Sequence, residues 1–172
     1  QGIGALFVRK GVALQPLLHG GAQEGAGLRS GTVAVALAVG LGEAARIAAD
    51  RMAGDDAHVR WLRDRLLAAL PPDTIVNGSQ ASRIASNLNL RFAGIDGTRL
   101  LAELRGIDVS SGAACASAAG RSSHVLAALG LSRVEVAGSI RIGWGRFSTE
   151  ADIDAAAVRI SAAVTKLRSR AA

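Results

Sequence analysis

Three side chains in this sequence have the type and setting to act on a small molecule: Cys115, Thr32 and Arg141. Cys115 is the single cysteine of the 172-residue chain and sits in residues 110–120, SSGAACASAAG. A structural cysteine packs as a small hydrophobe against large apolar side chains, whereas these neighbours are too small to enclose it. The residues leave two readings open. One is a small hydrophobe in a packed turn. The other is an accessible thiol that attacks or carries sulfur, for which a small-residue loop provides room for a second reactant. No adjacent lysine or histidine stands ready to stabilise a thiolate, so activation has to come from elsewhere in the fold.

Thr32 closes residues 27–32, GLRSGT, directly before an alanine-rich run. Such a segment can be a turn whose hydroxyl caps the next helix, or an anion site built from backbone donors and a hydroxyl at the positive end of that helix. Arg141 stands between Ile140 and Ile142 in GSIRIGW. It is either the solvent-facing residue of an edge strand or a fixed guanidinium that grips a carboxylate with two parallel bonds. His19, His58 and His124 are scattered without metal-ligand spacing, and zinc needs more ligands than the sequence clusters.

Composition limits the function classes. With 49% hydrophobic and 20% charged residues the chain is a soluble globular protein, not a disordered one. The net charge of +6 invites a nucleic-acid reading. However, the arginines are dispersed along helices, as at Arg60, Arg63 and Arg65, and aromatics make up only 3%, so there is neither a basic run nor a stacking platform. A solvated, arginine-rich surface is expected, with no direct nucleic-acid role. The apolar run 33–41 is too short to span a membrane. One cysteine and no leader-like segment place the chain in a reducing cytoplasm.

These side chains need elements to hold them. GIGALFVRKG, residues 2–11, reads as a buried strand, and residues 17–32 read as a glycine-rich loop. A helix then runs through Val59, Leu62, Leu66 and Leu70, whose spacing draws one apolar stripe, and Pro71-Pro72 ends it. SNLNLRF is a half-buried strand with Leu88, Leu90 and Phe92 inward and Asn87, Asn89 and Arg91 outward. Asp96-Gly97 marks a turn before a short helix that stops at Gly106. IDVS is a brief strand leading into the cysteine segment. Ser122 caps a short helix closed by Gly130, SIRIG is a further strand, and Thr149 with Asp152 forms a capping box for a last helix along Ile153, Ala157, Ile160, Val164 and Leu167. The expected division is residues 1–71, the end of a large domain with its linking helix, and residues 72–172, a small α+β domain that carries the cysteine loop.

The order and wording of GIGALFVRKG, LLHGGAQE, LRSGT, SSGAACAS with SHVLAALGL, and SIRIGWGRFSTEADID closely resemble the C-terminal half of cysteine desulfurases of the NifS/IscS-like class. These belong among the class-V aminotransferase relatives that use pyridoxal phosphate. The resemblance runs through essentially the whole chain. It implies a fold-type-I α/β architecture: the C-terminal end of the large domain plus a small domain with a short, mainly antiparallel sheet covered by helices. It also implies that L-cysteine is converted to L-alanine while Cys115 takes the sulfur as a persulfide, for iron–sulfur cluster assembly or tRNA thiolation. Thr32 would bind the cofactor phosphate of the partner subunit in a homodimer, and Arg141 would hold the substrate carboxylate. A sulfur-accepting protein is the implied partner.

The family's cofactor-bearing lysine and ring-stacking histidine belong upstream of Gln1, which makes the chain a fragment expected to be inactive alone. Lys10 and Lys166 lie in the wrong contexts to substitute. The glycine-rich loop between Glu24 and Arg29 is one residue longer than the family pattern, which leaves the register of Gly25 to Gly27 open. A selenocysteine lyase or a non-enzymatic sulfur-carrier module would share part of this pattern.

Overall fold

A computed structural model describes residues 2–24, 28–111 and 123–170 of the chain. The chain divides into two compact units, Gln1–Met52 and Ala53–Ala172.

In the first unit, β1 (Ala22–Glu24) and β2 (Arg29–Ser30) pair antiparallel with an irregular register, Ala22 opposite Ser30 and Glu24 opposite Arg29. The expected glycine-rich loop is therefore in part a small hairpin. Residues 2–9 form no strand, contrary to the expectation from GIGALFVRKG, and Leu6 and Phe7 lie exposed. A buried strand requires a neighbouring ladder, and among the described residues none pairs with this segment.

The helix α1 (Val35–Ala69) contributes to both units. Its stripe Val59, Leu62 and Leu66, continued by Leu70 just past the end, is buried as the spacing predicts. In the second unit β3 (Ile75–Val76) pairs antiparallel with β4 (Asn87–Arg91). Next come α2 (Gly97–Glu103), α3 (His124–Ala128) and α4 (Arg133–Ala137). Finally β5 (Ser139–Gly143) pairs antiparallel with β4, and α5 (Glu150–Ser169) closes the described fold.

The sheet order is β3-β4-β5. The two-residue alternation of strands puts Leu88 opposite Ile142 and Leu90 opposite Ile140, all four buried in the core with Leu62, Leu66, Leu100, Ile160 and Val164. On the other face Asn89 lies opposite Arg141, and Arg91 opposite Ser139. The buried hydrophobic residues run from Val59 to Val164 and so belong to the second unit.

Helix ends follow local chemistry. The Asp96 carboxylate accepts from the Arg99 amide and caps α2, so this residue starts a helix as well as turning the chain. Thr149 and Asp152 make the expected capping box of α5. The cap of α3 is Ser123, whose hydroxyl accepts from Leu126 N, and not Ser122, which lies outside the described residues. Residues 107–110 do not make a strand of their own; only Ser110 joins the sheet, through a bridge to Arg141. Two elements were unforeseen: β3, and α4 with its Ser132–Glu135 capping box. No described helix is long and apolar enough to cross a membrane.

Candidate functional site

Arg141 occupies the middle of β5, with a strand neighbour on each side. Asn89 of β4 lies on one side; on the other, Ser110 N donates to Arg141 O at 3.0 Å and Arg141 N donates to Ser110 O at 2.6 Å. The side chain is exposed while Ile140 and Ile142 are buried. Strand alternation thus drives the guanidinium outward, while both backbone groups of the residue are held by Ser110. Among the described residues this guanidinium has no hydrogen-bond or ion-pair partner.

The other arginine of this face is already committed. Arg91 donates from Nε to Asn77 Oδ1 at 2.9 Å and through Nη1 to Glu135 Oε1. The Glu135 carboxyl is held below its usual range, first by the Ser132 amide, then by the Ser132 hydroxyl, and also by Arg91. One arginine of this face is neutralised, whereas its neighbour Arg141 is exposed and unpaired among the described residues.

A polar cluster beneath this face pins the strands together. Asn77 is buried, and its Nδ2 donates to Asn89 Oδ1 at 2.6 Å and to Ser139 Oγ at 2.9 Å. Ser139 is fully buried and donates from Oγ to the Glu135 carbonyl at 2.7 Å. Both buried polar side chains of this cluster, Asn77 and Ser139, have partners, as burial requires. Just beyond β5, Trp144 donates from its backbone amide to Ser86 O at 3.1 Å and from Nε1 to Val59 O at 3.0 Å. Arg146 pairs with Asp55 at 2.8 Å, and His58 Nε2 donates to Ser148 O at 2.9 Å. The strand that carries Arg141 is therefore tied to α1 immediately after it ends. Sequence reasoning missed Asn77, Ser139 and Glu135, although S-x-x-E at 132–135 is a recognisable helix-start signal.

Thr32 belongs to the first unit, three residues before α1, and is exposed. Gly31 before it takes φ 87°, a left-handed conformation that favours glycine. Arg29 folds over the turn, donating to Gly31 O at 2.5 Å and Thr32 O at 3.2 Å. The Thr32 hydroxyl has no acceptor among the described residues, and a hydroxyl beside a guanidinium suits a phosphate group. Arg29 is a contributor that sequence reasoning did not single out.

Cys115 lies outside the described residues, as do Gly25, Ala26 and Gly27. The structure does place Ser110, five positions before that cysteine, against Arg141. Lys10 is exposed at a turn, and Lys166 bonds Glu103 at 2.5 Å. Among the described residues no cluster of His, Cys, Asp and Glu could hold a metal ion.

The comparisons with known proteins agree in direction. The Aminotransferase class-V family profile matches residues 1–156. The chain belongs to that family. It is 48% identical to a cysteine desulfurase IscS of Mannheimia succiniciproducens over 172 residues, which cover 98% of this chain and 42% of that protein. It is 47% identical to the IscS of Photobacterium profundum, again covering 98% of this chain and 42% of the relative. Among solved structures, a NifS-like protein aligns with a TM-score of 0.77 at 32% identity over 93% of this chain and 41% of its own. A NifS-like protein from Rickettsia africae aligns with a TM-score of 0.73 at 26% identity, covering 88% and 40%. These neighbours support the fold-type-I assignment, of which the three-stranded antiparallel sheet with its helices is a part. The chain spans about two fifths of the length of the relatives it matches.

Proposed function

We propose that this chain is the C-terminal portion of a pyridoxal-phosphate-dependent cysteine desulfurase, with the large-domain end and linking helix in residues 1–71 and the small domain in residues 72–172. The observation that carries the reading is the open guanidinium of Arg141, on the one strand residue that bridges to Ser110 at the entrance to the segment holding Cys115. The names of its relatives point the same way.

In this reading Arg141 binds the carboxylate of L-cysteine and orients the amino acid. The Thr32 hydroxyl donates to the cofactor's phosphate, supplied across the interface of a homodimer, with Arg29 beside it. When bound, pyridoxal phosphate supplies the electron sink that weakens bonds around the substrate's α-carbon. The Cys115 thiolate attacks the substrate sulfur; a sulfur–sulfur bond forms as the carbon–sulfur bond breaks, and the carbon takes a proton to leave L-alanine. Cys115 then carries a persulfide for a sulfur acceptor in the cytoplasm, serving iron–sulfur assembly or tRNA thiolation. The lysine that holds the cofactor belongs to the preceding part of the longer protein.

The decisive experiment replaces Arg141 in the full-length protein. Arg141→Ala should raise KM for L-cysteine by roughly tenfold to a hundredfold, the loss of a charge-assisted pair. Arg141→Lys should recover only part of it, because lysine lacks the planar fork. An unchanged KM and kcat in the alanine variant would return Arg141 to the role of a solvent-facing strand residue.

A further inference from the structure

Ser110, Arg141, Asn89 and Asn77 form one row across the sheet. Ser110 bridges Arg141, Arg141 lies opposite Asn89, and Asn77 N donates to Asn89 O at 2.8 Å. Residues directly opposite each other on one face have Cβ atoms about 5 Å apart, so the Asn89 amide and the Arg141 side chain leave the sheet side by side.

The hydrogen-bond pattern fixes which way the Asn89 amide is turned. Arg91 can only donate, so the atom of Asn77 that receives its Nε is the oxygen Oδ1. Asn77 must then present its NH2 group to Asn89 and Ser139, and the atom of Asn89 that accepts it is Oδ1. Asn89 is left with Nδ2 as its outward group. Among the described residues that NH2 donates to nothing, although Asn89 is half-buried. A fixed, unused donor therefore stands beside an open guanidinium.

We infer that Asn89 is a second carboxylate-binding residue, donating from Nδ2 to the same carboxylate that Arg141 grips. The inference rests on the reading of Arg141 given above. Asn77 is then the positioning residue: it holds Oδ1 so that a donor, and not an acceptor, faces the anion. An amide turned the other way would present a carbonyl oxygen and repel it. Two donors on neighbouring strands also set the carboxylate's orientation, which a single flexible guanidinium does less well. The ligand class is a small α-amino acid.

The test is a titration of the isotope-labelled full-length protein carrying Cys115→Ser, which stops turnover, followed by NMR at the Arg141 Nε–H and the Asn89 Nδ2 protons. One arm uses L-cysteine under reducing conditions. The other uses cysteamine, which keeps the amine and thiol but lacks the carboxylate. Both signals should move together with L-cysteine, with one midpoint, and stay still with cysteamine. Asn89→Asp keeps the acceptor for Asn77 but loses the donor, and Asn89→Ala loses the donor without adding charge; each should weaken the L-cysteine midpoint by about tenfold. The thermal midpoint of Asn89→Asp should stay near that of the parent chain. If L-cysteine moves Arg141 but leaves Asn89 still, or the two variants bind as the parent does, the inference falls and the Arg141 reading stands. If neither signal moves, or cysteamine moves them equally, both fall.

Discussion

Ser110 and Arg141 exchange both of their backbone hydrogen bonds, so the chain enters the cysteine-bearing segment directly from the residue beside the open guanidinium. Asn89 lies across from Arg141 on the other side, as a pair without a mutual backbone hydrogen bond. The position of that arginine is thus set by two neighbours that are distant in sequence. Replacing Ser110 with proline removes one donor and restricts φ. Ser110→Pro should lower stability by about 1 kcal/mol, the net worth of a hydrogen bond, and speed amide exchange at Arg141. Ser110→Ala keeps the backbone bonds and should match the parent within about half a kcal/mol. Urea melts and hydrogen exchange on the two variants separate a structural bridge from a chance approach.

Two glycines of the second unit make opposite predictions. A Cβ added at Gly97 would come 2.4 Å from the Ala137 carbonyl oxygen, a backbone atom that cannot swing aside. Gly97→Ala should therefore cost about 1–3 kcal/mol, as overpacking does. Gly54 lies inside α1 with nothing within 4 Å of its would-be Cβ. Gly54→Ala should add roughly 0.5–1 kcal/mol through helix propensity. Thermal melts that rank these two variants the other way would contradict the close approach of α2 to the end of α4.

Acid should destabilise the fold, and the direction follows from the ion pairs. Asp73, Glu103, Asp152 and Asp154 are each held below the usual carboxylate range, by Arg168, Lys166, the Thr149 amide and Arg65 respectively. Glu135 is lowered too, chiefly by Ser132. A carboxyl whose folded-state pKa is depressed contributes stability that is present above its unfolded value. That stability is lost as the pH falls through the folded one. Urea midpoints should stay level from neutral pH down to about 4.5 and decline below it, since unfolded carboxyls titrate near 4. Stability undiminished at pH 3 would mean that these pairs are too well solvated to matter.

Much of the core was legible because apolar spacing is a strong signal. The stripe Val59, Leu62, Leu66 and Leu70, the alternation of Leu88 and Leu90, and the pair Ile140 and Ile142 all face inward as their periods require. The outward side of the sheet was less legible. Alternation showed that Asn89 and Arg91 point away from the core, but not that Glu135 neutralises Arg91 while Arg141 stays open. That distinction depends on α4 and on Asn77, just past the two-residue strand β3, elements too short for a periodicity to register. The failed strand at residues 2–9 has a related cause: apolar content predicts burial, but burial needs a partner, and no described element provides one.

Cys115→Ser in the full-length protein addresses the single thiol of the sequence. A serine hydroxyl is a far poorer nucleophile toward sulfur than a thiolate, so L-alanine production should fall to background. L-cysteine binding should persist, because Arg141 and its neighbours are untouched. The surrounding SSGAACASAAG offers little to pack against, so the melting behaviour should stay within about half a kcal/mol of the parent. A packed structural cysteine would give the reverse pattern, losing stability and keeping activity. Assays of alanine release and thermal melts on the same pair of proteins distinguish the two. Sustained alanine release by the serine variant would remove Cys115 from the sulfur path, whatever the role of Arg141.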